Sequence, residues 1–115
     1  MRLNFKRIFF LLLIFSIPNC LYAGDLLLGK EKAATVCSTC HGMDGQAASG
    51  GNSSLTPNIT AQEKEYLLAK LKDYKSGKIN HPQMSLIAQM LSDEDIENVS
   101  EWYSKIKISI ELPLE

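Results

Sequence analysis

Two thiols and an imidazole stand within five residues, in the run Cys37-Ser38-Thr39-Cys40-His41. Residues three apart share one side of a helix, so both sulfurs face the same way. In that arrangement each thiol can add to one vinyl group of a haem, forming two thioether bonds. His41 is then carried beneath the ring, where an imidazole nitrogen can ligate the iron. Motifs that work through sulfur alone have no need of that histidine. The spacing points to covalent haem attachment rather than to a generic thiol pair.

A histidine on one face leaves the opposite face of the iron open. The chain after its leader offers Met43, Met84, Met90 and His81. Met43 is only two residues past His41 and cannot cross to the far side of the ring. Met90 lies six residues after Met84 in a stretch readable as helix, which turns it elsewhere; it reads as a core side chain. Met84 follows the polar segment 78–83, broken by Pro82, and precedes the apolar turn Leu86-Ile87-Ala88. Forty-three residues separate it from His41, ample chain to span the open face. Met84 is the expected second ligand. His81, read as a solvated loop residue, and an open site are the alternatives. A soft thioether favours Fe(II) more than a second imidazole does, so His/Met ligation raises the potential. It also fills the coordination sphere, which favours electron transfer over catalysis. The other nitrogen of His41 is expected to donate to a carbonyl and so fix the ring.

These side chains need helices to hold them. Residues 26–36 read as a short helix leading into the motif, although Gly29 within it costs stability relative to alanine. A close helix crossing would explain that glycine. Residues 42–54 are rich in glycine and serine and read as a surface loop. They lack the Lys-Ser/Thr of a phosphate-binding loop, and Gly42 must pass close to a haem edge. Thr60-Ala61-Gln62-Glu63 has the form of a capping box opening a helix that ends near Ser76, with Gly77 as the stop. Leu67, Leu68, Leu71 and Tyr74 make one apolar face of that helix, read as structural core. Lys64, Lys70, Lys72 and Lys75 read as its solvated face. Ser92-Asp93-Glu94-Asp95 starts a second helix, with acids well placed for the helix dipole. Ile96, Val99, Trp102, Tyr103 and Ile106 form its apolar stripe, Trp102 being read as core. Beyond it Ile106, Ile108, Ile110 and Leu112 alternate with polar residues, as in an extended strap on the body or against a partner.

The sequence has 115 residues, and the first 23 read as an export signal. Arg2, Lys6 and Arg7 form a basic start, residues 8–17 an apolar core, and Leu21-Tyr22-Ala23 a small-residue exit. That run is short for a membrane span. Cys20 admits a lipoprotein reading as a minor alternative. Residues 24–115 then form one domain, and losing the three leader cations takes the formal charge from −1 to −4. A domain of this size has a marginal core of its own, which a buried haem would complete. No basic patch interleaved with aromatics suggests nucleic acid. In an oxidising periplasm a bare Cys37/Cys40 pair would close as a disulfide, whereas thioether bonds consume both sulfurs.

The segment carrying Gly29, Ala33, Cys37, Cys40, His41, Gly42 and Gly45 resembles the attachment region of class I c-type cytochromes. So does the run from Lys75 to Tyr103, with a Met ahead of a Leu-Ser helix start. The resemblance spans roughly the whole chain after the leader, and it implies an all-α fold of three to five short helices wrapped around one haem c. It implies that the C-terminal helix crosses Gly29, with Trp102 or Tyr103 filling the bare spot. It places the ligand methionine at Met84 and the acceptor for His41 at the carbonyl of Pro57. Pro57-Asn58-Ile59 and Tyr74-Lys75-Ser76-Gly77-Lys78-Ile79 are similar to the small haem subunit of flavocytochrome c sulfide dehydrogenases.

The leading expectation is a periplasmic monohaem carrier that passes single electrons between protein partners and performs no substrate chemistry of its own. The alternative is the haem subunit of an enzyme, beside a flavoprotein. A sensor or peroxidase with an open sixth position is a third reading. A haem-free zinc or thiol–disulfide protein is the fourth; zinc would have to draw on Cys37, Cys40, His41 and His81, an awkward set for a closed tetrahedron.

Overall fold

The structure, a computed structural model, describes residues 23–47 and 55–113. The leader up to Tyr22, the lipidation alternative at Cys20 and the 48–54 part of the glycine-rich loop lie outside the described residues. Asp25 starts the first helix, α1: its carboxylate accepts from the N–H groups of Leu27 and Leu28 at 2.8 and 2.9 Å. α1 has three stretches, an α-helix Leu26–Lys32, a π-helical turn Ala33–Cys37 and an α-helix Ser38–His41. The expected helix over 26–36 thus runs on through the thiol motif. Widened turns of this kind are rare and concentrate at functional sites.

Three more helices follow: α2 Lys64–Ser76, α3 Met84–Met90 and α4 Asp93–Lys105. Among the described residues there is no strand, so the all-α expectation holds. α4 begins with a complete capping box, in which the Ser92 hydroxyl accepts from Asp95 N–H and the Asp95 carboxylate from Ser92 N–H, both at 3.0 Å. α2 ends on Gly77 in the left-handed conformation (φ +78°), as its sequence implies.

The capping box expected at Thr60 does not form. The Thr60 hydroxyl donates instead to the Asp44 carbonyl at 2.6 Å. Ala61 takes a left-handed turn (φ +54°) and its N–H bonds the Tyr103 carbonyl at 3.0 Å. Helix α2 therefore waits until Lys64 to begin. Long-range bonds outcompete a local cap here, because they anchor this segment to the haem-motif loop and to α4.

α1 and α4 cross so closely that a Cβ on Gly29 would collide with the backbone carbonyl of Asn98 and reach 3.1 Å from Trp102 Cβ. The crossing partner is the expected one, but Tyr103 is not what fills the spot. Its ring turns inward, where the hydroxyl donates to the Gly42 carbonyl at 2.9 Å. Asn98, buried on α4, accepts the Asp25 N–H at 2.7 Å and locks the start of α1 onto it. Ala33, Ile96, Val99 and Tyr103 are buried in the interior.

The lysines of α2 are not a free solvated face. Lys64 bridges Glu101 at 3.0 Å and Glu97 at 3.5 Å, Lys72 approaches Glu97 at 3.7 Å, and Lys75 bonds Asp93 at 2.7 Å. Lys70 stands over the Tyr66 ring at 5.5 Å. The acids of α4 draw this stripe inward, tying α2 to α4 by charge. Lys64 holds the Glu101 carboxyl below its usual range. A carboxylate depressed by folding adds stability above its unfolded pKa, about 4.3 for Glu, and that stability is lost as pH falls through the folded value. Thermal midpoints followed by circular dichroism should therefore drop as pH falls from about 5 towards 2. In Glu101→Gln that slope should flatten, with a loss at neutral pH of about 1 kcal/mol. An unchanged slope would show that the bridge contributes nothing.

Of the C-terminal strap only Ile106 packs on the body, against the cluster of Ala33, Leu67 and Tyr103. Ile108, Ile110 and Leu112 are exposed on an extended segment after α4. Met90, read as core, is 74% exposed at the end of α3. Its helix is held by Ala88 and Leu91, both buried, which leaves Met90 on the outer side.

Candidate haem site

The thiol motif ends α1, and the loop behind it is laced to residues 57–60. Ile59 N–H donates to the Gly45 carbonyl at 2.8 Å, and Ala47 N–H to the Asn58 side-chain oxygen at 2.9 Å. Gly45 is required there: it sits at φ +76°, and a Cβ would lie 2.8 Å from Thr60 N. Trp102 Nε1–H reaches the Met43 carbonyl at 3.1 Å, so two aromatic donors of α4 pin this loop.

That lacing sets the Pro57 carbonyl 3.0 Å from His41 Nδ1, as the family resemblance implies. A carbonyl can only accept, so Nδ1 carries the proton and the Nε2 lone pair is left for a metal. Burial lowers the His41 pKa, the Pro57 bond partly opposing it, so the ring is held neutral. A neutral imidazole is the form that ligates. Burial also pushes the Cys37 thiol up to about 11, against the pull of the Lys32 cation. An activated exchange thiol would be shifted the other way. Among the described residues no group of three His, Cys, Asp or Glu side chains is placed to hold a metal ion.

Cys37, Cys40 and His41 border a cleft of about 670 Å³. α3 brings Met84 to the same cleft, α2 brings Leu67, Leu71 and Tyr74, and α4 brings Val99, Ser100 and Tyr103. The apolar face of α2 is thus largely cleft wall rather than helix-to-helix core. His81 also borders the cleft, whereas Met43 and Met90 do not. Met43 instead packs against the cluster of Ala33, Leu67 and Tyr103.

Two observations bear on whether a haem suits these residues. Among the described residues the largest fully buried side chains are only Ile96 and Ser100, so these elements alone fill little interior. The Ser100 hydroxyl, buried on the cleft wall, has no hydrogen-bond partner among the described residues. A buried unpartnered hydroxyl costs about 1–3 kcal/mol, and both features suit a chain completed by a large flat group. The volume lies within the range of about 300–1,000 Å³ usual for cofactor pockets. Cys37 and Cys40 would carry the ring and His41 would meet its iron.

Sequence reasoning did not find the roles of Asn58 and Thr60, and it passed over Asn98 and Ser100. All four act on residues far along the chain or on the cleft, and only Asn58, following a proline, carries even a weak local turn signal.

A helical chain with paired thiols and an adjacent neutral imidazole on one apolar cleft is built to hold a haem covalently. This chain belongs to the cytochrome c family, whose profile matches residues 26–107. It is 41% identical over 85 residues to cytochrome c-554(548) of Halomonas halodenitrificans, covering 71% of this chain and 96% of that protein. Cytochrome c4 of Pseudomonas aeruginosa is 34% identical over 88 residues, 76% of this chain but 41% of its own length. The thiosulfate dehydrogenase electron acceptor of Stutzerimonas stutzeri is 38% identical over 74 residues, 63% of this chain and 32% of that protein. The chain thus spans nearly all of the first relative and well under half of the other two. It is a monohaem electron-transfer cytochrome, and its Cys37/Cys40 spacing fits covalently bound haem c.

Proposed function

We propose that this protein carries single electrons between redox partners in the periplasm, with His41 and Met84 as the two iron ligands. The supporting observation is that Cys37, Cys40, His41 and Met84, spread over 48 residues, all border one apolar cleft. Bound haem supplies a one-electron Fe(III)/Fe(II) couple. The chain supplies the rest. Cys37 and Cys40 tether the ring, and the Pro57 carbonyl holds His41 in the tautomer whose Nε2 faces outward from that bond. Met84 adds a soft sulfur that favours the reduced metal. Two protein ligands leave no coordination position for a substrate, which argues against a sensor or peroxidase. The apolar walls from α2 and α4 keep the site dry, so charge change is accompanied by little solvent rearrangement.

On this reading residues 1–23 are a leader and 24–115 the working domain. No helix among the described residues is long and apolar enough to cross a membrane. The test is to express the full chain in cells competent for cytochrome maturation and to isolate the periplasmic fraction. A mature N-terminus at Gly24, colour surviving acidified-solvent extraction and a reversible one-electron titration support the proposal. A colourless chain after extraction overturns it.

A second reading is service to one dedicated enzyme. One relative is named a thiosulfate dehydrogenase electron acceptor, and the exposed Ile108, Ile110 and Leu112 offer apolar surface a permanent partner would cover. The partner would be an oxidoreductase of sulfur compounds, or the flavoprotein implied by the flavocytochrome likeness. A stable heterodimer on size-exclusion of the native extract would replace the free carrier with this reading.

A further inference from the structure

His81 lies three residues before Met84 and is an exposed loop residue, as read, but its polar atoms are engaged by its neighbours. Its Nδ1 accepts the N–H of Met84 at 3.1 Å and, at 3.3 Å, that of Gln83. Its carbonyl accepts the N–H of Ser85 at 3.0 Å. Its own N–H donates to the Ser85 hydroxyl at 3.0 Å, which in turn donates to the Ile79 carbonyl at 3.3 Å. The imidazole also meets the Tyr74 ring edge-on, centroids 5.9 Å apart. Helix α3 begins at Met84 itself, and Gln83 at its cap position makes no side-chain capping bond. The first N–H groups of such a short helix need acceptors from outside it. His81 supplies them for Gln83, Met84 and Ser85 together, while Tyr74 on α2 braces the ring that does so.

We infer that His81 is a positioning residue: through Nδ1 it fixes the backbone of Met84 and so aims that side chain into the haem cleft. The inference rests on Met84 being the second iron ligand. It also assigns His81 a role that excludes its own ligation through Nδ1, because that nitrogen's lone pair is engaged by the Met84 and Gln83 amides. Met84 is the first residue of a seven-residue helix whose buried anchors, Ala88 and Leu91, lie at its far end, so the His81 bond is the contact that holds the Met84 amide itself.

The test compares ferric holoproteins titrated with imidazole, followed by the far-red absorption band of methionine-bound haem. In His81→Ala the acceptor is gone, and methionine should be displaced at about five- to tenfold lower imidazole concentration, the effect of losing roughly one net hydrogen bond. In His81→Asn the side-chain oxygen stands where Nδ1 stood, two bonds from Cβ, and near-wild-type resistance should return. A purely structural loss of the ring would not be rescued by this smaller side chain. Wild-type behaviour of His81→Ala, or an asparagine variant as sensitive as the alanine one, overturns the inference. Should His81→Ala fail to retain haem, His81→Gln, whose acceptor stands one bond further out, takes its place in the comparison. Met84→Ala is run alongside: a band that survives there overturns the ligand reading itself, whereas its loss with insensitive His81 variants overturns only the positioning role.

Discussion

In Met84→Ala holoprotein the far-red band of methionine-bound ferric haem should be absent, and the reduced protein should bind carbon monoxide without prior unfolding. Nothing else on the described cleft carries a second thioether: Met43 is packed against Ala33, Leu67 and Tyr103, and Met90 is exposed away from it. Loss of the soft ligand also removes the preference for Fe(II), so the reduction potential should fall. Met84→His should lower it as well, while keeping the sixth position filled. In both variants Cys37 and Cys40 still hold the ring, so colour should survive acidified-solvent extraction. That separation makes the result readable, because attachment and ligation depend on different residues. Retention of the band in Met84→Ala would make the assignment wrong, because another methionine would then have to supply the sulfur.

The second large effect is expected at Gly29, in the first stretch of α1. An alanine there gains helix propensity of about 1 kcal/mol. Against this, its Cβ would enter the Asn98 carbonyl, a backbone atom that cannot swing aside. Overpacking of a tight contact costs typically about 1–3 kcal/mol, occasionally more, and the rigid neighbour places this site at the upper end. Relief requires α1 and α4 to part, which also strains the Asp25 N–H bond to Asn98. Gly29→Ala should therefore lose about 2 kcal/mol net in denaturant unfolding, and Gly29→Val more. Because α1 carries Cys37, Cys40 and His41, the variant should also mature with less haem. Undiminished stability would mean that the crossing can open at no cost.

The parts of this protein read correctly from sequence are those in which neighbours along the chain do the work. The CxxCH spacing needs only one turn of helix to align Cys37 with Cys40. The box at Ser92 and Asp95 closes over three residues, and Gly77 ends α2 by its own left-handed backbone. Family likeness extended that reach to the Pro57 carbonyl behind His41, a pairing across 16 residues that no periodicity announces.

Tertiary contacts decided the remainder. Thr60 had every local reason to cap a helix, yet Asp44 and Tyr103 claimed its turn, because bonds that join distant segments also build the loop behind the imidazole. The lysines of α2 looked solvated until α4 laid Glu97 and Glu101 beside them. Leu71 and Tyr74 kept the helical spacing of a core face, but spacing reports only that a side is apolar, not whether a neighbouring helix or a cleft lies against it. Met84 was legible ahead of Met90 from the sequence, but Met90 was read as core, and only the packing of Ala88 and Leu91 put it on the outer side. Local order follows from bonds within a few residues; the choice among several locally satisfactory partners waits for chain ends of the contact to meet, and that is a property of the folded whole.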